Sequence, residues 1–252
     1  MARRDYRLST IAALTRYFGV LGGLLLVVAV AVIGCWATVF PRYTFGYRLT
    51  VSVETPEGLK TGSSVVRITA QKQPAFGEST SWSSSIKGEA VAVDLGQRGY
   101  LFVLLAGNPT NSYASSADGI AFNVFRAVNG RPGNIPDDAP RYRTEKLSAQ
   151  LRLEQMPLMV RFRDISAPAS VEPVDPRDLS AKFGVGVRLR DVTLTTTSDP
   201  ATEGVVKILP WLIGSHYGAH LDGEKFRSFR PGTPFANSHT SSDFRQGWPP
   251  PS

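Results

Sequence analysis

Residues 89–105 read EAVAVDLGQRGYLFVLL, and the fold follows from this stretch. Its first half, residues 89–95, has the alternating apolar pattern of a strand. Gly96 and Gly99 then mark a turn. Residues 100–105 follow as an unbroken apolar run, which predicts a central strand covered on both faces. The stretch therefore predicts a β-hairpin at the core of a domain.

Further strands and short helices are predicted on both sides of this hairpin. Residues 47–53 alternate apolar and polar side chains, and residues 64–70 form a second β-rich run after the turn at 55–58. Strands are also predicted over 158–162 and 187–197, and short helices after Ser116 or Asp118, over 144–156, after Asp175 and after Ser198. The predicted fold class is α+β and β-rich, with antiparallel hairpins, a few short helices and an N-terminal transmembrane helix.

The apolar residues in front of the domain predict a membrane anchor. Residues 17–40 read YFGVLGGLLLVVAVAVIGCWATVF, and residues 17–41 carry no charge. This length suits the roughly 20 residues that cross a hydrocarbon core of about 30 Å, so we expect 17–40 to cross the lipid bilayer as a helix. Aromatic rings at both ends, Tyr17 and Phe18 on one side and Trp36 and Phe40 on the other, favour the headgroup level.

The basic arm in front of the anchor predicts its orientation. Residues 1–16 carry four arginines and one aspartate, which give +3 of the formal net charge of +7, and such an arm stays cytoplasmic. We therefore expect a cytoplasmic arm (1–16), a transmembrane helix (17–40), an extracytoplasmic β-rich domain (41–212) and a polar Gly/Ser/Pro-rich tail (213–252). The tail is expected to lie over the domain or to be partly disordered. In a bacterium, the anchor would lie in the inner membrane and the domain in the periplasm.

Two processing alternatives stay open for the same segment. A basic arm before an apolar run is also typical of a cleaved secretory signal. In addition, Val32-Ile-Gly-Cys35 resembles the bacterial lipobox, whose cysteine becomes diacylated and N-terminal. Cys35 is the only cysteine of the sequence, so it is the candidate lipidation site, and an internal disulfide is excluded. In that case the protein would be a lipoprotein that carries a ligand.

Several runs after Phe40 carry a resemblance to known proteins, namely YRLTVSVETPEG, GSSVVRITA, KGEAVAVDLG, MVRFRDI, VDPRDLSAKFG, VRLRDVTL, LDGEKF and SSDFRQG. These runs resemble a family of uncharacterised bacterial proteins with one N-terminal transmembrane segment. The resemblance implies a bacterial, membrane-anchored protein. It brings no activity, fold or site residue with it.

Few residues of the sequence suggest catalysis. Ser84-Ser-Ile-Lys87 fits the Ser-x-x-Lys spacing of penicillin-recognising enzymes, in which the lysine helps to activate the serine. Ser84 and Lys87 are therefore the candidate catalytic pair. Four carboxylates lie close together in the sequence and offer acid–base chemistry, namely Asp164, Glu172, Asp175 and Asp178. A Walker loop, a Gly-x-Ser-x-Gly elbow and a His-Glu-x-x-His motif do not occur in the sequence.

Metal, cofactor and nucleic-acid binding are not favoured. His216 and His220 are four residues apart, the spacing of two metal ligands on one helix face, but Gly214, Gly218 and Gly223 interrupt a helix there. They are candidate metal ligands only, and we expect no cofactor. The remaining charge of +4 does not cluster with stacking aromatics as it does in nucleic-acid binders.

The sequence favours binding over catalysis. We expect a non-catalytic, membrane-anchored periplasmic binding or scaffold module of the bacterial envelope, with another envelope protein as its partner. Isolated aromatic rings of the tail would insert into a groove of that partner. The alternative is an envelope hydrolase of serine or carboxylate type, so enzymatic activity stays open.

Overall fold

In the computed structural model, the strand predicted at the centre of the fold is covered on both faces. Strand β5 (Tyr100–Gly107) is buried from Leu101 to Leu105. Successive side chains of a strand point to opposite faces. Those of β5 alternate between two hydrophobic clusters, Leu101, Val103 and Leu105 in the first and Phe102 and Leu104 in the second. The prediction of a central strand is confirmed.

The structure describes residues 22, 23, 25–31, 34–36, 38–74, 82–107, 117–129 and 135–249. The chain divides into two compact units, residues 1–42 with 71–83 and residues 43–70 with 84–252. The predicted cytoplasmic arm (1–16) lies outside the described residues. So do residues 17–21, 24, 32, 33 and 37 of the predicted transmembrane helix.

The described strands form two antiparallel sheets. The other strands are β1 (Arg42–Thr55), β2 (Gly58–Lys72), β3 (Trp82–Glu89), β4 (Val91–Asp94), β6 (Ser148–Gln150), β7 (Pro157–Phe162), β8 (Val171–Val174), β9 (Arg188–Thr197) and β10 (Arg245–Gln246). The helices of the second unit are α1 (Ala117–Asn129), α2 (Ile135–Thr144), α3 (Ser180–Phe183) and α4 (Val205–Ile208). The strand orders are β10-β3-β2-β1-β9-β6 and β4-β5-β7-β8. The predicted β-rich α+β class, with antiparallel strands and short helices, is confirmed.

The four-stranded sheet has a core on each face. The first cluster combines apolar side chains of both sheets with α1 and α2, including Phe125 and Tyr142. The second cluster covers the other face of the four-stranded sheet with α4 and with the segment that follows it. From that segment, Leu221, Ala236 and Phe244 are almost fully buried. The described part of the predicted tail, 213–249, therefore contributes to the core, which the sequence did not indicate.

The prediction of a helix over residues 144–156 is wrong. Helix α2 ends at Thr144, and β6 follows it and pairs with Thr193–Thr195 of β9. Leu147, Ala149 and Leu151 pack on the first cluster, while the residues between them are exposed. This two-residue period is that of a strand, and it outweighed the four-residue spacing of the two leucines.

The first unit contains helical residues with exposed apolar side chains. The described residues between 22 and 39 are helical. Its exposed large apolar side chains are Leu25, Leu26, Val27, Val28, Val30, Trp36 and Val39. Trp36 and Phe40 pack with their ring centroids 4.6 Å apart, and Thr38 Oγ1 donates a hydrogen bond of 2.8 Å to the Cys35 carbonyl. Within the described part of the chain, no helix combines the length and apolarity needed to span a membrane.

Candidate functional site

A glycine brings the last strand close to its neighbour. Strand β10 pairs antiparallel with β3, with Arg245 opposite Glu89. Gly247, the residue that follows β10, has a φ of 84°. A Cβ at this position would lie 2.4 Å from the Ile86 carbonyl oxygen and 2.6 Å from Lys87 Cα. Only glycine allows this backbone conformation and this close approach, so Gly247 fixes the path of the chain beside β3.

This path leaves a groove of about 490 Å³, which we call the tail groove. It is lined by Leu212, Tyr217, Gly218, Ser241, Ser242, Arg245, Gln246, Gly247 and Trp248. Tyr217 is 47% exposed, and Trp248 is half-buried. Two aromatic rings, two serine hydroxyls and one guanidinium group thus border an open concave surface. Tyr217 and Trp248 are among the isolated tail aromatics that the sequence predicts to contact a partner, whereas the other lining residues were not singled out from the sequence.

The charge of Arg245 is neutralised inside the tail groove. Its Nε lies 3.2 Å from Glu89 Oε1, and its Nη2 lies 2.9 Å from Glu203 Oε1. The same guanidinium group lies 4.4 Å from the ring centroid of Trp248, and Lys87 Nζ lies 5.2 Å from that centroid. Both cations attract the ring face, so they orient Trp248.

The carboxylate of Glu89 holds the groove to the rest of the second unit. This side chain is 1% exposed. Its Oε2 accepts hydrogen bonds from the backbone N–H groups of Gly204, at 2.5 Å, and Val205, at 2.8 Å. Together with the Arg245 ion pair, these contacts join β3, the start of α4 and β10. A buried carboxylate with three donors is a structural junction, and its charge is compensated.

The hydroxyls of the groove are not activated for nucleophilic attack. Ser241 Oγ accepts a hydrogen bond of 3.4 Å from the Gly218 N–H, and Ser242 Oγ shares one of 2.6 Å with Thr240 Oγ1. Among the described residues, neither hydroxyl is hydrogen-bonded to a histidine or a carboxylate, as a serine nucleophile needs. The nearby His239 Nδ1 is instead 3.1 Å from Asp243 Oδ2, which also accepts from the Thr240 N–H.

The geometry of β3 separates the predicted catalytic pair. Ser84 and Lys87 are three residues apart on this strand, so their side chains point to opposite faces. Their Cα atoms are about 10 Å apart at the usual rise of an extended strand. Lys87 is directed towards Trp248, as described above. The strand therefore does not bring the lysine to the serine.

Among the described residues, the two candidate metal ligands do not form a metal site, and the candidate lipidation site lies on a helix. His216 lies in a turn, where its Nδ1 is 3.0 Å from Ser215 Oγ, and the backbone N–H of His220 bonds the Glu224 carbonyl. In the part of the chain that the structure describes, no group of three or more His, Cys, Asp or Glu residues is placed to hold a metal ion. Cys35 is exposed among the helical residues of the first unit.

The four clustered carboxylates predicted for acid–base chemistry stabilise loops and form ion pairs. Hydrogen bonds from Ser166 lower the pKa of Asp164, and hydrogen bonds from Ser180 and the Ala181 backbone lower that of Asp178. Asp175 Oδ1 accepts from the Arg177 N–H at 2.9 Å. A general acid at neutral pH needs a raised pKa. The lowered values therefore favour structural roles.

Glu172 is the fourth of these carboxylates, and it predicts a pH dependence of stability. Lys182 Nζ lies at 3.1 Å and the Arg163 and Arg161 Nε atoms at 3.2 and 3.4 Å, and the Lys182 hydrogen bond is the main cause of its lowered pKa. Because the pKa of Glu172 is lower in the folded state, its ionised form stabilises the folded protein at pH values above the unfolded pKa of 4.5. This stabilisation disappears as the pH falls through the folded-state pKa.

We therefore expect Glu172→Gln to lower the free energy of unfolding at pH 7 by about 0.5–1 kcal/mol. The difference from the wild-type protein should shrink as the pH falls from 5 to 3. Urea unfolding of both proteins at pH 7, 5, 4 and 3 measures it. A difference that stays constant over this range would show that the charge of Glu172 is not the cause.

Comparison of the chain with protein-family models, with curated proteins and with solved structures gave no match. Its function must be inferred from its own residues.

Proposed function

We propose that this chain is a membrane-anchored binding module of the bacterial envelope, whose extracytoplasmic unit binds a segment of another envelope protein in the tail groove. In this proposal the protein does not catalyse a reaction. Residues 1–16 lie in the cytoplasm, residues 17–40 cross the inner membrane, and the rest of the chain lies in the periplasm.

The anchor is supported by apolar side chains that face no protein. All described residues between 22 and 39 are exposed, and residues 17–41 carry no charge. Large apolar side chains exposed close together are rarely left in water, and lipid is the environment that covers them without a partner. The four arginines of residues 1–16 favour a cytoplasmic N-terminus.

The position of β10 at the edge of its sheet supports the binding role. In the order of the described strands, β10 is the outermost strand of the six-stranded sheet and has only two residues. An extended segment of another protein can pair beside such an edge while its side chains contact neighbouring pockets. Tyr217 and Trp248 border this place, and Tyr, Trp and Arg are enriched in protein interfaces.

The contacts of Arg245 are the observation that favours binding over catalysis. The positive charge of Arg245 is paired with two carboxylates and lies against the ring of Trp248. In a catalytic site, this charge would instead be directed at a substrate. What remains in the groove are rings, hydroxyls and peptide groups. These groups recognise a ligand through packing and hydrogen bonds.

The proposal predicts a partner that depends on the groove. After crosslinking in native membranes and purification of the full chain in mild detergent, we expect one stoichiometric envelope protein. Tyr217→Ala combined with Trp248→Ala should reduce its recovery at least tenfold, because aromatic anchors of an interface each contribute about 2 kcal/mol or more. The control is Val185→Ala, at a 91% exposed position in another turn.

Two results would contradict this proposal. A chain that purifies alone, or a partner retained equally by the groove variant, would exclude binding in the groove. The intact mass of the purified protein tests the anchor in the same experiment. A mass that includes Met1 agrees with a retained helix, whereas a diacylated Cys35 at the N-terminus would identify a lipoprotein.

A further inference from the structure

A second surface of the same unit exposes two large aromatic rings. Residues 225–230 read KFRSFR, and we call them the basic–aromatic loop. Phe226 is 77% exposed and Phe229 is 84% exposed. Three cations, Lys225, Arg227 and Arg230, alternate with the rings and are also exposed. The loop belongs neither to the tail groove nor to a core cluster.

A buried asparagine holds this loop in shape. Asn237 is 2% exposed. Its Oδ1 accepts a hydrogen bond of 2.6 Å from the Ser228 N–H, and its Nδ2 donates to Asp222 Oδ2 at 2.7 Å. Thr233 Oγ1 donates to the Arg230 carbonyl at 2.7 Å. The rings are thus presented by a loop with fixed hydrogen bonds, and binding through them costs little ordering of the backbone.

The cations lie against the rings. Lys225 Nζ is 5.9 Å from the ring centroid of Phe226, and the Arg227 guanidinium carbon is 5.1 Å from that of Phe229. Residues 224–230 carry three positive charges and the single carboxylate of Glu224. At a lipid–water boundary, a ring and its neighbouring cation occupy different depths, because the ring enters the apolar layer and the cation stays at the phosphate groups.

We propose that the basic–aromatic loop binds the surface of an anionic phospholipid membrane. The inference rests on the membrane anchor of the proposed function, since the anchor keeps the loop at a high effective concentration near lipid. A loop–lipid contact that is weak on its own is then sufficient to hold the loop at the membrane surface. Basic residues add attraction to anionic headgroups, and a lipid surface needs no shape complementarity to two protruding rings.

Fluorescence of the full chain in vesicles tests this contact. Cys35→Ser removes the native thiol, and Phe229→Cys then carries an NBD fluorophore, which replaces one exposed apolar group by another. The labelled protein is reconstituted in phosphatidylcholine vesicles with or without 30% phosphatidylglycerol. Flotation measures the anchor, and quenching by nitroxide lipids measures the depth of the label. The control carries the label at Val185→Cys.

With phosphatidylglycerol, we expect at least twofold more quenching at position 229 than at position 185. The excess should disappear in pure phosphatidylcholine and when Lys225, Arg227 and Arg230 are replaced by glutamine. A floated protein whose label at 229 stays aqueous, or inserts equally without phosphatidylglycerol, would overturn the lipid contact alone. A protein that does not float would overturn both the anchor and this contact. Shielding of the label only in native membranes would indicate a protein partner and also overturn the proposal.

Discussion

Glu89→Ala is expected to lower the free energy of unfolding by about 3–5 kcal/mol, because it breaks a buried ion pair from one side. Glu89 is almost fully buried and bonds Arg245 as well as the N–H groups of Gly204 and Val205. Alanine would leave these two backbone donors without their acceptor. Of its two carboxylate partners, the guanidinium group would keep only the exposed Glu203. Each such loss destabilises the folded chain.

Urea unfolding of the full chain in mild detergent, followed by tryptophan fluorescence, measures this effect. The matched control is Glu203→Gln, which removes the other carboxylate partner of the same arginine. Glu203 is 61% exposed, so we expect a change below about 1 kcal/mol. Equal effects of the two substitutions would refute the role of Glu89 as a buried junction.

Phe244→Ala is expected to destabilise the protein by about 3–5 kcal/mol, the usual cost of emptying a buried phenylalanine site. Phe244 is fully buried and packs against Phe102, Phe162 and Trp211, with ring centroids 5.7–6.0 Å apart. It joins the segment after α4 to the four-stranded sheet. The cavity would therefore loosen both this segment and the second face of the sheet.

Phe229→Ala is the matched control, because it removes the same ring from an exposed position of the same segment. We expect it to change stability by less than about 0.5 kcal/mol. Thermal unfolding and limited proteolysis between residues 213 and 249 compare the two variants. A Phe244→Ala protein as stable and as resistant as the wild type would show that this segment is not part of the core.

The role of Phe244 decides what deletion of residues 213–252 would do. A tail that only covers the domain could be deleted without unfolding it. Because Leu221, Ala236 and Phe244 contribute to the second cluster, we expect deletion of residues 213–252 to unfold the second unit. Point substitutions in the tail groove and the basic–aromatic loop are therefore the informative changes.

Strands with strong local patterns were predictable from the sequence. The apolar run at 100–105 corresponds to β5, and the alternating residues 47–53 lie within β1. For these segments the local pattern and the final burial agree. Residues 144–156 were misread, because Leu147 and Leu151 fit both a helix and a strand, and only the pairing of β6 with β9 decides between them.

The tail groove was not predictable, because its lining residues come from two stretches, 212–218 and 241–248, that tertiary packing brings together. Arg245 and Glu89 are far apart in the sequence, and nothing near either residue indicates their ion pair. The Gly- and Ser-rich composition after residue 213 indicates loops and gives no sign that Phe244 is buried while Phe229 is exposed. Gly247 illustrates the same limit, since its need for glycine arises from the backbone of β3.

Site-specific photocrosslinking in native membranes tests most directly whether this chain is an envelope binding module. A benzoylphenylalanine replaces Tyr217 in the tail groove of the full chain, and a second protein carries it at Val185 as the control. The proposed function predicts one crosslinked envelope protein at position 217, absent at position 185 and strongly reduced by Trp248→Ala. No adduct at 217, or the same adducts at both positions, would contradict it.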